Sequence, residues 1–320
     1  MVVAGLAVAG TAHADEPVNV LSHPRLPAPL ILPELTHPRR DLTLDWTVGS
    51  GSTDVVGRPN AAVAIMRARF EDSFWFWPRR LYGGVTWDYA SGLSPDKGID
   101  VDDNLPAPRT TGMTGGLANP ELHARLVFPL AEGLTIGFGM GTVLPISSIE
   151  RDGPTNSAML AASSVEPTDY VHFLPGRWGI RPFGDLRVVR GIFVFQAREG
   201  LDIVIDGPAV EHARTAGRIL AHAGVTLTRA LELSVEATQV YFFFSDEPVD
   251  PNLPPAQRAL RERYRISDDR RTAFTIGPSL RLSFPTADIG IGLVSNLLDP
   301  LSPALDSIVA ARVSLVAHFR

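Results

Sequence analysis

Apolar and polar residues alternate one for one along most of the chain. Leu42, Leu44, Trp46 and Val48 are interleaved with Thr43, Asp45 and Thr47, and near the C-terminus Val309, Ala311, Val313, Leu315, Ala317 and Phe319 are interleaved with Arg312, Ser314 and His318. A period of two puts the two sets on opposite faces of a β-strand. The same unit, an alternating run and then a turn, recurs over 41–49, 60–70, 80–90, 119–130, 133–145, 170–189, 192–205, 214–228, 231–244, 272–284, 287–297 and 307–319. The pattern predicts an all-β chain of about twelve antiparallel strands, with a range of roughly ten to fourteen because 176–206 can hold two further short strands.

The connections divide into two kinds. RLVFPLAEGLTIGFG (Arg125–Gly139) resembles RLSFPTADIGIGL (Arg281–Leu293): each has Arg-Leu-x-Phe-Pro, a short turn and then an apolar/Gly alternation. Leu227–Leu231 and Val189–Ile192 are equally short, whereas 91–118, 146–168, 206–213 and 245–271 are long and polar. Short turns at one end and long loops at the other are the asymmetry of a transmembrane β-barrel with periplasmic turns and extracellular loops. A strand of about 9–11 residues, tilted by roughly 45°, spans a bilayer.

Composition narrows the function classes. The 320 residues include no Cys, carry a formal net charge of −6 and are 45% hydrophobic. Disulfides, thiolate chemistry and Cys-ligated metals are therefore excluded. No basic run offers a footprint for nucleic acid. No stretch of about 18 apolar residues supplies a helical membrane span. Residues 2–12 are small and apolar and lead to Ala12-His13-Ala14, an A-x-A cleavage pattern, although no positively charged residue precedes them. The expected organisation is a signal peptide at 1–14, a Pro-rich periplasmic lead-in at 15–40 and a transmembrane barrel at 41–320. The lead-in has six prolines between Pro17 and Pro38 and cannot pair as a central strand. It reads as a solvated linker, with His23, His37, Arg39 and Arg40 as a docking patch in the second reading.

On these features (the Ala12–Ala14 cleavage pattern, the Phe-Pro turns after Phe128 and Phe284, and the final alternating strand with Phe319) the chain resembles Gram-negative outer-membrane β-barrel proteins in the broad, porin-like sense. The resemblance covers about residues 41–320. It implies contact with outer-membrane lipid and lipopolysaccharide, and assembly by the barrel-assembly machinery through the C-terminal strand. Members of the class usually end on an aromatic residue; here Arg320 follows Phe319.

Parity assigns the faces. Leu122, Leu126, Phe128, Ile136, Phe138, Phe193, Phe195, Leu233, Val235, Leu280 and Leu282 fall outward, and Trp46, Trp87, Tyr89, Tyr241 and Phe284 fall near strand ends. Trp75 and Trp77, within Phe74–Trp77, read as an interfacial anchor or as a packed turn. The opposite parity is charged, and charge is costly on a lipid face, so it must line the lumen. The expected constriction residues are Arg67, Arg69, Arg125, Arg187, Arg198 and Arg218, with Glu232 and Glu236. These arginines either select a polar solute, with a weak anion preference, or pair with Asp45, Asp88, Asp185 and Asp202 and brace the wall.

Signatures of other chemistry are weak. No His is followed by x-Ser, and Asp169 with His172, or Glu211 with His212, are the nearest approach to an acid–base pair at the extracellular rim. Asp96–Asn104 matches only the first half of a calcium loop. No cofactor or metal motif is present. Arg258, Arg261, Arg263 and Arg265 make a basic helix in 245–271 that folds into the mouth, lies on lipopolysaccharide or is simply a solvated loop helix. The leading function is therefore a non-enzymatic outer-membrane channel for small polar solutes. The alternative is a closed structural barrel whose loops bind a partner, and a hydrolase is the third reading.

Overall fold

A computed structural model describes residues 30–33, 35, 40–52, 61–74, 80–93, 114–148, 155–205, 214–228, 230–254, 258, 265–301 and 306–319. The alternating runs form β1 (Arg40–Ser52), β2 (Ala61–Ser73), β3 (Leu81–Leu93), β4 (Thr114–Leu117), β5 (Glu121–Ala131), β6 (Leu134–Val143), β7 (Trp178–Arg190), β8 (Phe193–Ile205), β9 (Arg214–Thr226), β10 (Leu231–Phe242), β11 (Thr272–Ser283), β12 (Ala287–Asn296) and β13 (Ser307–Phe319). β4 and β5 both pair with β3, at Tyr89–Gly92 and Leu81–Thr86 respectively. They are one stave broken at Ala118–Pro120, where Pro120 has no N–H to give. Every neighbour is antiparallel, and β1 pairs with β13 from Arg40↔Phe319 to Ser52↔Ser307. The result is a closed barrel of twelve staves.

The short connections, including 132–133, 191–192 and 284–286, lie with both strand termini at one end, and the long loops lie at the other. At the β5–β6 turn Gly133 has φ 71°, and a Cβ there would stand 2.2 Å from the Val189 carbonyl oxygen, so only glycine fits. Pro182 and Pro278 sit in mid-strand. Beside each, the ladder lapses for two residues: β7–β8 pairing resumes at Phe183↔Gly200 and β11–β12 pairing at Ser279↔Gly292. A ring without edges has no place for a missing donor except a local break.

Two expectations fail at the long-loop end. The strand expected over 170–189 begins only at Trp178. The loop expected over 146–168 is not an external polar loop: it carries α1 (Thr155–Val165) and a 3₁₀ helix (Pro167–Phe173), both folded into the barrel. The cause is apolar burial at helical spacing. Met159, Ala162 and Val165 pack on Val63, Ile65, Ala90, Ile308 and Ala310 of the inner wall. Tyr170 and Val171 pack on Val204, Ala216, Val240 and Phe242 opposite.

The lead-in also departs from expectation where it is described. Leu30, Leu32 and Leu35 are 3%, 1% and 3% exposed. Leu35 packs with Tyr82 and Val127 at the short-turn end. A Cβ on Gly290 would stand 2.0 Å from Leu30 Cδ2, so the missing side chain is what makes room for this segment. Three leucines account for the difference: a solvated linker would leave their apolar surface in water. Residues 1–29, Trp75, Trp77, the Asp96–Asn104 loop, Glu211 and His212 lie outside the described residues, as does most of the basic segment around Arg258.

Candidate functional site in the lumen

Strand parity delivers the expected charges to the inner wall, and register then decides what each one meets. Arg67 stands directly opposite Asp88 and forms a fork with it, Nε–Oδ1 2.7 Å and Nη2–Oδ2 3.1 Å. Arg198 does the same with Asp185 across β7–β8, at 2.7 and 2.9 Å. Arg125 pairs with Glu71, which His123 Nε2 also reaches at 3.1 Å. Arg218 Nε lies 2.9 Å from Asp202. Arg187, fully buried, donates to Gln196 Oε1 at 2.9 Å. Glu232 and Glu236 flank His222, at 2.6 Å from Nε2 and 3.3 Å from Nδ1. Bidentate and charge-assisted pairs of this kind are what permit so many ions to be buried. Arg69 forms no ion pair or hydrogen bond among the described residues, although Asp45 and Glu71 act on it from a greater distance. The eight expected constriction residues therefore do not form one ring. Most of them are instead paired along the wall, three of the arginines with Asp88, Asp185 and Asp202.

Further charged groups enter the lumen from the loop between β6 and β7. Glu166, between the two loop helices, lies 2.7 Å from Arg67 Nη2 and accepts hydrogen bonds on Oε1 from Arg312 Nη2 and Thr47 Oγ1, each at 2.9 Å. Asp169 lies 2.9 Å from Arg67 Nη2 and 3.1 Å from Arg181 Nη2. Burial pushes the Asp169 carboxyl up, but Arg67 and Arg181 outweigh it and hold the group below the usual carboxylate range. His172 Nδ1 reaches Asp88 at 2.8 Å and Nε2 reaches Glu121 at 2.9 Å. Arg181 ties the loop to Glu121 and Asp202. Asp169 and His172, read from sequence as an acid–base pair, are instead docking groups. Glu166 and Arg181 were not singled out. Arg181 shares the parity of Phe183, Asp185 and Arg187 and was legible on that ground, but it lies in the ambiguous span 176–206.

From the opposite end, the lead-in is tied by hydrogen bonds to the same wall. Leu30 N donates to Glu236 Oε1 at 2.7 Å and Gln196 Nε2 donates to the Pro33 carbonyl at 2.7 Å. Between loop and lead-in remains a cavity of about 30 Å³ bordered by Ile31, Arg67, Glu166, Asp169, Glu236 and Arg312. A water needs roughly 10–15 Å³, so this space holds about two waters.

No family model and no curated protein matches the sequence. Among solved structures, an outer membrane channel from Pseudomonas putida F1 aligns with TM-score 0.56 and 12% identity over 88% of this chain and 97% of its own. The KdgM porin aligns with TM-score 0.42 and 9% identity over 87% and 99%. The Ralstonia pickettii toluene transporter TbuX aligns with TM-score 0.42 and 11% identity over 89% and 91%. The closed twelve-stave ring and the first of these likenesses together give the fold: the chain is a closed antiparallel β-barrel of twelve staves, the fold it shares with that channel.

Proposed function

We propose that the chain is an outer-membrane channel for small polar solutes, held closed by its own loop and lead-in. One observation carries the reading. The lumen is filled by two segments that are not staves, docked through ion pairs and hydrogen bonds and not continuous with the wall. The outer face supports the location: Met66, Phe138, Met140, Phe193, Leu233, Ile291 and Val309 are all exposed, an apolar band that water would not tolerate and lipid would solvate. With the short-turn end in the periplasm, the lead-in enters from the periplasm and the loop from outside. Lipid and lipopolysaccharide would cover the band. β13, ending at Phe319, would present the assembly signal.

A second reading, a closed structural barrel, is favoured by the pairing of the luminal arginines. Planar-bilayer recording separates the two. The full chain is expected to give brief or small steps, and removal of residues 15–39 together with 155–173 is expected to give larger, reproducible ones. Folding of each protein is verified by heat-modifiable migration. No steps from either folded protein would refute the channel.

A further inference from the structure

Two carboxylates from the inward loop rest on three guanidiniums of the wall. Glu166 spans Arg67 and Arg312, and Asp169 spans Arg67 and Arg181, with Arg67 shared between them. The wall by itself supplies carboxylates to all three, but not in contact with each. Without the loop, Arg67 retains Asp88, and Arg181 retains Asp202 and Glu121. Arg312 has Glu166 as its ion-pair partner among the described residues. Withdrawal of the loop therefore leaves Arg312 with only the more distant Glu236 and Asp45 of the wall, and takes from Arg67 two of the three carboxylates that contact it. Uncompensated charge in such a place is strongly unfavourable, so the loop leaves easily only if other anionic oxygens replace its own.

The geometry points to Arg67, Arg181 and Arg312 as a binding site for a small dicarboxylate, with Glu166 and Asp169 as its intramolecular stand-ins. This rests on the channel reading and adds to it the solute class and the event that opens the lumen. A dicarboxylate reproduces both loop contacts at once: one carboxylate lies between Arg312 and Arg67, the other between Arg67 and Arg181. A monocarboxylate replaces half of them and a neutral polyol none. Guanidinium forks suit carboxylate oxygens, and Thr47 Oγ1 adds a donor beside the first position. The cavity reaches Arg67, Arg312, Glu166 and Asp169 from the lead-in side, so space for exchange already borders the contact. α1 holds the wall by the small or flexible side chains Met159, Ala161, Ala162 and Val165, whereas the 3₁₀ helix is anchored by Tyr170 and Phe173, so the α1 half is the part that yields first.

The full chain contains no cysteine, so one introduced thiol reports the loop directly. Met159 is fully buried against the wall. Met159→Cys, reconstituted in liposomes and verified as folded, is exposed to an impermeant maleimide with succinate, acetate or erythritol. Succinate is expected to accelerate labelling about tenfold or more, as a ligand selecting the undocked state must, while acetate and erythritol do little. In Met159→Cys with Glu166→Gln and Asp169→Asn, labelling is expected to be fast without any solute and indifferent to succinate. Equal rates with all three solutes would overturn the proposal, as would slow labelling in the Gln/Asn variant. Ala162→Cys repeats the measurement should Met159→Cys fail to fold. Labelling requires no conduction: a succinate response without conductance steps retains the site and refutes the channel, and steps without a succinate response do the reverse.

Discussion

Alkaline pH should release the inward loop, and His172 sets where. The ring is 1% exposed, with Nδ1 against Asp88 and Nε2 against Glu121. Burial alone lowers an imidazole pKa, but hydrogen bonds to the two carboxylates outweigh it and raise the group from 6.5 to about 9. Arg181, whose Nη1 lies 2.8 Å from Nε2, opposes the rise. In the undocked loop the ring titrates near its ordinary value. Docking therefore retains a proton across this window. Its contribution is complete below about pH 6.5 and lost as the pH passes through about 9. A rise of that size corresponds to about 3 kcal/mol, or a docking equilibrium changed by a few hundredfold. The assay is open probability in planar bilayers at pH 6, 8 and 10. His123, His222 and His318 also face the lumen, so His172→Gln is the necessary control. It should behave at all three values as the unaltered protein does at the highest. A pH response unchanged by His172→Gln, or a midpoint at the ordinary histidine value, would refute the argument.

Gly290→Val should expel the lead-in while leaving the barrel closed, because a Cβ there meets Leu30 at 2.0 Å. The measurement is conductance, expected to rise several-fold, with unchanged heat-modifiable migration. Asp202→Asn removes the carboxylate shared by Arg181 and Arg218, at 2.8 and 2.9 Å, and should cost about 3–5 kcal/mol in unfolding free energy from detergent. Arg67→Glu and Arg69→Glu should differ. The first sets a carboxylate against Asp88, Glu166 and Asp169 and opens the loop, whereas the second leaves the loop docked and shifts the reversal potential in a salt gradient toward cations.

The barrel was largely legible because its signal is repeated and local. Alternation at Leu42–Val48 or Val309–Phe319 needs no partner to be read, and lipid outside with charge inside enforces it on every stave. The closing segments obey no such period. Met159, Ala162 and Val165 follow a helical spacing too short to stand out beside the strands. Tyr170 and Val171 adjoin a true strand and were absorbed into it. The buried leucines of the lead-in lie among prolines, which correctly argued against a strand and wrongly suggested exposure. In each case the decisive fact is the wall that receives the side chain, and that wall is assembled from residues distant in sequence.

The candidate site shows the same limit more sharply, because parity is only half of an address in a sheet. Arg67 and Arg69 are two residues apart on one strand and both face inward. Arg67 lies between Asp45 on β1 and Asp88 on β3, whereas Arg69 lies between Thr43 and Thr86. One is committed to carboxylates before any loop arrives; the other has hydroxyl-bearing neighbours on both sides. A shift of two residues in either ladder would preserve every inward assignment made from sequence and yet could move a carboxylate from opposite Arg67 to opposite Arg69. Selectivity in this lumen is therefore a property of register. While the loop is docked, Arg69, which neither Glu166 nor Asp169 contacts, is the one whose charge a passing ion would feel; Arg67 becomes available to a solute only when the loop leaves.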